Sequence, residues 1–385
     1  MSEVDAMSEA FSRGACTIDR MAVSLVRLPV RSRRSHGIGD VAGTTSHVIL
    51  RLETSDGVVG WGEAAPWPVF AGTAEATMAA LHTYLHPFVV GADPRDLSGI
   101  MASADLALAG HNDAKAALET ALLDILGQYA GVPVWALLGG RCRETIPLSV
   151  SLADPDWETD RALIAQIMED GVRLVKVKTG FAGHAFDVMR LEALRTDFPE
   201  LDVRVDYNQG LDPFDALRKL RDIEVFAPTF IEQPVRADKT AIMAALTAAL
   251  DVPLLADESV FTPSDAIKAV EDRIANGFSI KIMKSGGLRK GQTIARIAAA
   301  AGLGAYGGDM FETGIAHLAG THMIAATPEI GLGCEFYQAR YYLKEDLLEE
   351  PFRTGNGTVI VPDAPGLGAI VDEDRLRHYS IETRT

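Results

Sequence analysis

Two rhythms of apolar and polar positions divide the chain near residue 145. Before it, "MAVSLVRLPV" and "SHVILRLETSDGVVGWGEA" are β-rich and partly alternating, which predicts strands. Asp56-Gly57 inside the second stretch predicts a hairpin turn. Residues 73–93 and 112–139 carry helical spacing. In "NDAKAALETALLDILGQYAG" apolar residues recur every three and four positions; Asn112 or Asp113 can cap the start and Gly131 can end the helix. Strands followed by helices predict an α+β domain over 17–144. After residue 145, short apolar runs alternate with amphipathic stretches. The runs end at Ser149, Lys176, Asp206, Glu232, Asp257, Lys281 and Gly308, roughly one strand–helix unit apart. An eighth run, "GLGCEFYQ", follows at 331–338. Seven or eight such units imply a parallel sheet, most economically a closed barrel over 145–345. A doubly wound open sheet is the alternative, but it usually needs fewer units, and its phosphate-binding glycine fingerprint is missing. The tail, 346–385, fits no further unit and is expected to return to the first domain. Residues 1–16 lack the basic–apolar–small order of a secretory signal and are expected to be a loose extension.

Composition narrows the function. The chain has 385 residues, 48% of them hydrophobic and 23% charged, enough for a large core. Its 36 Lys and Arg against 53 Asp and Glu leave a net charge of −17. That surface is a poor start for a nucleic-acid or anionic-membrane binder. An anionic small substrate would need local cations or a metal. No apolar run reaches the ~18 residues of a membrane-spanning helix. Cys16, Cys142 and Cys334 lie far apart without metal-ligand spacing, so a disulfide scaffold is not expected and a reducing compartment, the cytoplasm, is. No P-loop, Gly-x-Ser-x-Gly elbow or HExxH pair is present.

The polar residues at the run ends carry the chemistry. Catalytic groups of a parallel barrel stand at the C-terminal ends of its strands. In "RLVKVKTG", Lys176 and Lys178 share a strand face. Held together, each lowers the other's pKa, which makes a lysine a usable base; taken alone, the pair equally fits two solvated lysines. Asp206, Glu232 and Asp257 end the next three runs. Three converging carboxylates repel one another without a cation, and an all-oxygen set fits Mg²⁺ or Mn²⁺. Asn208 and Glu258 stand beside them. In "FSIKIMKSGGL", Lys281 is placed within a strand in phase with Met283, across the barrel from Lys178, and Lys284 on the opposite face. "GAYGGDMFETGI" offers Asp309 and Glu312; Glu312 would bind a substrate or orient Lys281. His36, in a glycine-containing loop, and the apolar loop "PWPVFAGT" (66–73) would cover the site. Lysines on both sides of a metal suit a carboxylate substrate and proton transfer at the adjacent carbon through an enolate. Racemisation, elimination and cycloisomerisation all qualify.

From about residue 18 onward the chain resembles the enolase superfamily, in its muconate-cycloisomerase subgroup. The residues that carry the resemblance are Lys176-Val177-Lys178, the acids Asp206, Glu232 and Asp257, Lys281 in "KIMKSGG", "YGGDMFE" and "GCEFY". The resemblance implies a modified TIM barrel, (β/α)7β, with an α+β N-terminal capping domain. It implies Lys178 as proton donor, Lys176 as its pKa-lowering neighbour and Lys281 as the opposite-face cation. It further implies a Mn²⁺ or Mg²⁺ site, lactonization of cis,cis-muconate to muconolactone in aromatic catabolism, and a homo-oligomer, commonly an octamer. Dipeptide epimerases, N-acylamino acid racemases and o-succinylbenzoate synthases share these lysines and ligands. The epimerases usually carry Asp-x-Asp in the last strand, where this chain has Glu335 and Tyr337.

Overall fold

A computed structural model describes residues 16–336 and 338–385. The expected N-terminal extension lies outside them, apart from residue 16. The first strands are β1 (Ile18–Pro29), β2 (Arg34–His36), β3 (Gly39–Val41), β4 (Thr44–Thr54) and β5 (Val59–Ala64). β1 pairs antiparallel with β4, and β4 with β5 around the Asp56-Gly57 turn. β2 and β3 form a separate two-stranded ribbon. The helix Asn112–Ala130 packs across β5, and Gly62 makes that approach possible: a Cβ there would stand 1.9 Å from the Ala117 carbonyl oxygen. The helix ends at Gly131, in the left-handed region at φ 66°, as expected.

Its start differs from the expectation. His111 is the N-cap, and Asn112 and Asp113 lie inside the helix. Asn112 instead donates to the Lys284 carbonyl at 2.6 Å, and Asp113 accepts from the Thr77 hydroxyl. Both polar residues tie distant elements together rather than cap their own. Residues 73–93 form not one helix but Ala74–Ala79, a π-helical stretch Ala80–Leu85 and His86–Val89. The helix Leu97–Ala107, capped by Asp96, carries too many small residues for its spacing to have announced it.

The second rhythm becomes the barrel. After β6 (Thr145–Pro147) come β7 (Ser149–Leu152), β8 (Leu174–Lys178), β9 (Asp202–Asp206), β10 (Ile231–Glu232), β11 (Leu254–Ala256), β12 (Gly277–Ile280) and β13 (Gly304–Gly307). β7 to β13 are one parallel sheet in chain order. The eighth run supplies closure. Cys334 makes parallel bridges to Leu148 and Gly307, so residues on either side of one short segment join the two ends of the sheet. The fold is a modified (β/α)7β barrel with an α+β domain before it. β14 (Thr354–Gly355) and β15 (Thr358–Ile360) add to β6, and β16 (Ser380–Arg384) pairs with β1. Among the described residues, no helix is long and apolar enough to cross a membrane.

Strand parity sorts the side chains. Val175, Val177, Val203, Val205, Ile231 and Ile280 join the large core shared with the helices. Each contributes roughly 1.5–3 kcal/mol by burial. The alternate positions face the interior. There Phe230, Leu255 and Tyr306 form a small core of their own, with the Arg204 guanidinium 5.3 Å and 5.0 Å from the Phe230 and Tyr306 rings. A one-residue slip in any strand would swap these two sets.

Candidate active site

The strand register places the charged residues side by side. Lys178 pairs with Asp206, and Asp206 with Glu232. Glu232 pairs with Leu255, so Asp257, two positions on, faces the same interior. Asp206, Glu232 and Asp257 are fully buried. Lysines answer each of them. Lys178 Nζ lies 2.6 Å from Asp206 Oδ2, and Lys281 Nζ lies 2.7 Å from Asp257 Oδ2. Burial would protonate Asp206, but Lys178 and Lys176 outweigh it and hold its carboxyl well below the usual range. Glu232 goes the other way: burial, only partly offset by Lys176, and the neighbouring Asp206 and Asp257 push it up to about 7.

Lys176 sits among three carboxylates. Its ammonium lies 2.6 Å from Glu335 Oε2, 3.0 Å from Glu232 Oε2 and 3.3 Å from Asp206 Oδ2. Burial works against its charge, yet Glu232 and Glu335 raise its pKa well above the ordinary lysine value. It balances three buried carboxylates rather than standing only beside Lys178. Glu335 comes from the closing segment, and its carboxylate also accepts from the Ser151 hydroxyl.

Two sequence expectations for β12 are corrected. Lys281 is not within the strand; it caps a one-turn helix, Ile282–Ser285. That turn swings Lys284 inward instead of outward, and its Nζ lies 2.8 Å from Asp257 Oδ1 and 2.6 Å from the Asp257 carbonyl oxygen. Both Asp257 oxygens therefore face lysine ammonium groups. Burial, only partly offset by Asp257, lowers the Lys284 pKa.

A narrow pocket opens above this layer, lined by Lys178, Lys281, Asn208, Asp309 and residues of the first domain. His36, Trp67 and Phe311 meet edge to face around it, with centroids 5.2–5.5 Å apart. Phe70, from the expected covering loop, places its ring 4.7 Å from Lys281 Nζ. His36 is buried, and burial together with Lys178 and Arg34 keeps its imidazole neutral. The β2–β3 ribbon holds His36 in place through a glycine contact: a Cβ on Gly37 would stand 2.0 Å from the Tyr207 carbonyl oxygen and 2.7 Å from Gly210 Cα. Gly37→Ala is expected to lift the ribbon off the β9 loop and raise KM by about tenfold or more while the barrel stays folded; steady-state kinetics and circular dichroism check it.

Asn208 and Glu258 come together, the amide donating to Glu258 Oε1 at 3.2 Å. Burial and the neighbouring Asp257 and Asp206 raise Glu258 to about 8. Glu312 turns toward the helix Gly314–Ala325. Its carboxylate accepts from the Met310 amide at 2.5 Å and lies 3.6 Å from His317 Nε2. Asp309 Oδ2 lies 3.4 Å from the same nitrogen. Asp309, Glu312 and His317 are, among the described residues, the potential ligand atoms gathered within 4.8 Å of one another. The three strand-end carboxylates are instead interleaved with lysines. Burial would discharge His317, but hydrogen bonds to Asp309 and Glu312 raise its pKa to about 10, which makes the trio an ion cluster. His317 sits inside the helix Gly314–Ala325, where nothing in the sequence marked it.

A parallel barrel with lysines and carboxylates interleaved at its C-terminal rim, under a pocket walled by a second domain, defines a class of barrel enzyme. Comparison with known proteins makes the class specific. Residues 159–375 match the enolase C-terminal domain-like family, and residues 23–139 match the mandelate racemase/muconate lactonizing enzyme N-terminal domain. The chain belongs to this family, within the enolase superfamily, and is an isomerase-type enzyme. It is 32% identical to muconate cycloisomerase 1 of Acinetobacter baylyi over 86% of this chain and 91% of that one. It is also 32% identical to the L-Ala-D/L-Glu epimerase of Bacillus subtilis, over 85% and 90% of the two chains. The crystal structure of a muconate cycloisomerase from Azorhizobium caulinodans is 46% identical, with a TM-score of 0.83 over 95% of this chain and 99% of that one.

Proposed function

We propose that the chain transfers a proton at the carbon beside a substrate carboxylate, through an enolate, with Lys178 and Lys281 on opposite faces. The observation that carries this reading is the placement of those two ammonium groups at the two ends of one buried carboxylate row, both lining one pocket. The donor set fits a hard divalent cation: Asp206, Glu232 and Asp257 offer only oxygen, and Glu232 Oε1 accepts no hydrogen bond. Held by these three residues, Mg²⁺ or Mn²⁺ would neutralise the charge that builds on the substrate carboxylate oxygens. Lys178 holds or delivers the proton on one face. Lys281, whose ammonium Asp257 and Glu232 keep charged despite its burial, supplies a cation or a second proton on the other. The aromatic wall and the Phe70 loop keep water from the carbanionic carbon.

Lactonization of cis,cis-muconate is the form of this chemistry that the cycloisomerase relatives suggest, and Arg34 at the pocket wall offers a cation to a second carboxylate. Loss of diene absorbance with Mn²⁺ tests it: kcat/KM of ~10⁴ M⁻¹s⁻¹ or more, abolished by chelation and restored by Mn²⁺, is the expected result. Absent turnover would overturn this substrate and leave the enolate chemistry to a second reading, racemisation or epimerisation of an amino-acid derivative.

A further inference from the structure

We infer that Asn112, from the first domain, is a positioning residue for the Lys281 ammonium. In the enolate reading above, on which this depends, Lys281 works on one face of the substrate. Lys281 caps the one-turn helix Ile282–Ser285 and Lys284 lies within it; their ammonium groups meet the two oxygens of Asp257 at 2.7 Å and 2.8 Å. A helix of one turn is a poor support by itself. Its internal bonds are few: the Ser285 amide donates to the Lys281 carbonyl, and the Gly286 and Gly287 amides donate to the Ile282 carbonyl, each at 3.1 Å. The last carbonyls of such a turn have no partner within it. Asn112 Nδ2 donates to one of them, the Lys284 carbonyl, at 2.6 Å. Asn112 thus holds the backbone of the residue whose side chain holds Asp257, in the turn that aims Lys281.

A second contact from the same helix fixes the other side of the turn. Glu119 lies about two turns beyond Asn112, and so on the same helix face. Its side chain is buried and accepts from the Arg289 backbone amide at 3.1 Å and from Arg289 Nε at 2.7 Å. Asn112 and Glu119 therefore hold the chain before and after Gly286-Gly287. Both glycines have positive φ, 80° and 126°, and Gly287 lets the helix close in: a Cβ there would stand 2.2 Å from Glu119 Oε2. The link through Asn112 needs a donor, because a carbonyl only accepts. Asp has the shape of Asn but would set an oxygen against the Lys284 carbonyl. In the first turn of the helix Asn112–Ala130 its negative charge is favourable. Asn112→Asp thus breaks the link without weakening the helix that carries it.

The test uses the Mg²⁺- or Mn²⁺-loaded full chain. cis,cis-Muconate is followed by absorbance, and L-Ala-L-Glu and L-Ala-D-Glu by α-deuterium uptake from D₂O. For whichever compound is turned over, Asn112→Asp is expected to lower kcat about tenfold, with KM within about twofold and the melting temperature unchanged or raised. Asn112→Gln, which keeps the donor, restores part of the rate. In a Lys281→Ala background the Asn112→Asp change is expected to have no further effect, because the group it positions is gone. With the dipeptides, the loss falls on the epimer whose exchange Lys281→Ala abolishes. Hydrogen exchange read by mass spectrometry needs no substrate: the Ser285, Gly286 and Gly287 amides exchange at least about tenfold faster in Asn112→Asp, and those of β8 do not. Equal losses in both backgrounds, an unchanged kcat, or unchanged exchange at the turn would overturn the assignment and leave the enolate reading standing. Where the parent chain turns over none of the three compounds, the exchange rates decide alone, and unchanged exchange at the turn overturns the assignment. Turnover that persists in Lys178→Ala overturns the enolate reading, and this assignment with it.

Discussion

Lys178→Ala is expected to lower kcat/KM by on the order of 10³-fold or more while leaving metal binding and the fold intact. The size follows from position. Lys178 is the last residue of β8, its ammonium faces Asp206 at 2.6 Å, and it lines the pocket directly. Removing it takes away a group that would act on the reacting carbon, while Lys176 still faces Asp206 and keeps that carboxylate paired. The comparison with Lys281→Ala separates the two forms of chemistry. A lactonization needs one proton delivered on one face, so the Lys281 variant would lose charge stabilisation and retain measurable turnover. A racemisation needs both faces, so each lysine variant would exchange the α-proton of one enantiomer only. Single-turnover exchange in D₂O with separated enantiomers reads this directly. Turnover in Lys178→Ala within tenfold of the parent would sink the assignment.

What could be read from the sequence was whatever the chain expresses locally. A strand–helix unit repeats at a near-constant interval, so the seven strands and the charged residue ending each of several runs were visible as a pattern. Lys178, Asp206 and Glu232 are neighbours because adjacent parallel strands put equivalent ends side by side. The hairpin at Asp56-Gly57 and the helix stop at Gly131 were equally local. The misread parts depend on contacts between distant segments. Lys281 and Lys284, three positions apart, would point to opposite faces of a regular strand, but the chain turns at Lys281 into one helical turn, and the two lysines converge on Asp257. Asn112 looks like a cap and instead holds the Lys284 carbonyl, 172 residues away. Glu335 is one acid in a short run until the barrel closes over Lys176. His317 lies in a wholly buried helix whose composition gives no polar face to notice.

The Lys176–Glu335 pair carries the second large effect, and it falls on stability rather than turnover alone. Lys176→Met is expected to destabilise the metal-free protein by about 3–5 kcal/mol, because it strands Glu335, Glu232 and Asp206 in a fully buried layer with one cation fewer. Glu335→Gln removes one of those charges and leaves Lys176 with Glu232 and Asp206, so it should cost less. Combining the two is the informative step. The double variant lacks both partners of the closest pair, at 2.6 Å, and should recover about 1–3 kcal/mol relative to the sum of the single changes. Urea unfolding of all four proteins measures the cycle. Additive losses would mean that the barrel closes without help from this pair, and that Lys176 acts through Asp206 and Glu232 only. A positive coupling would tie the closing segment around Cys334 energetically to the charged layer at the strand ends, so that the same ion pair completes the barrel and sets the charge of the site.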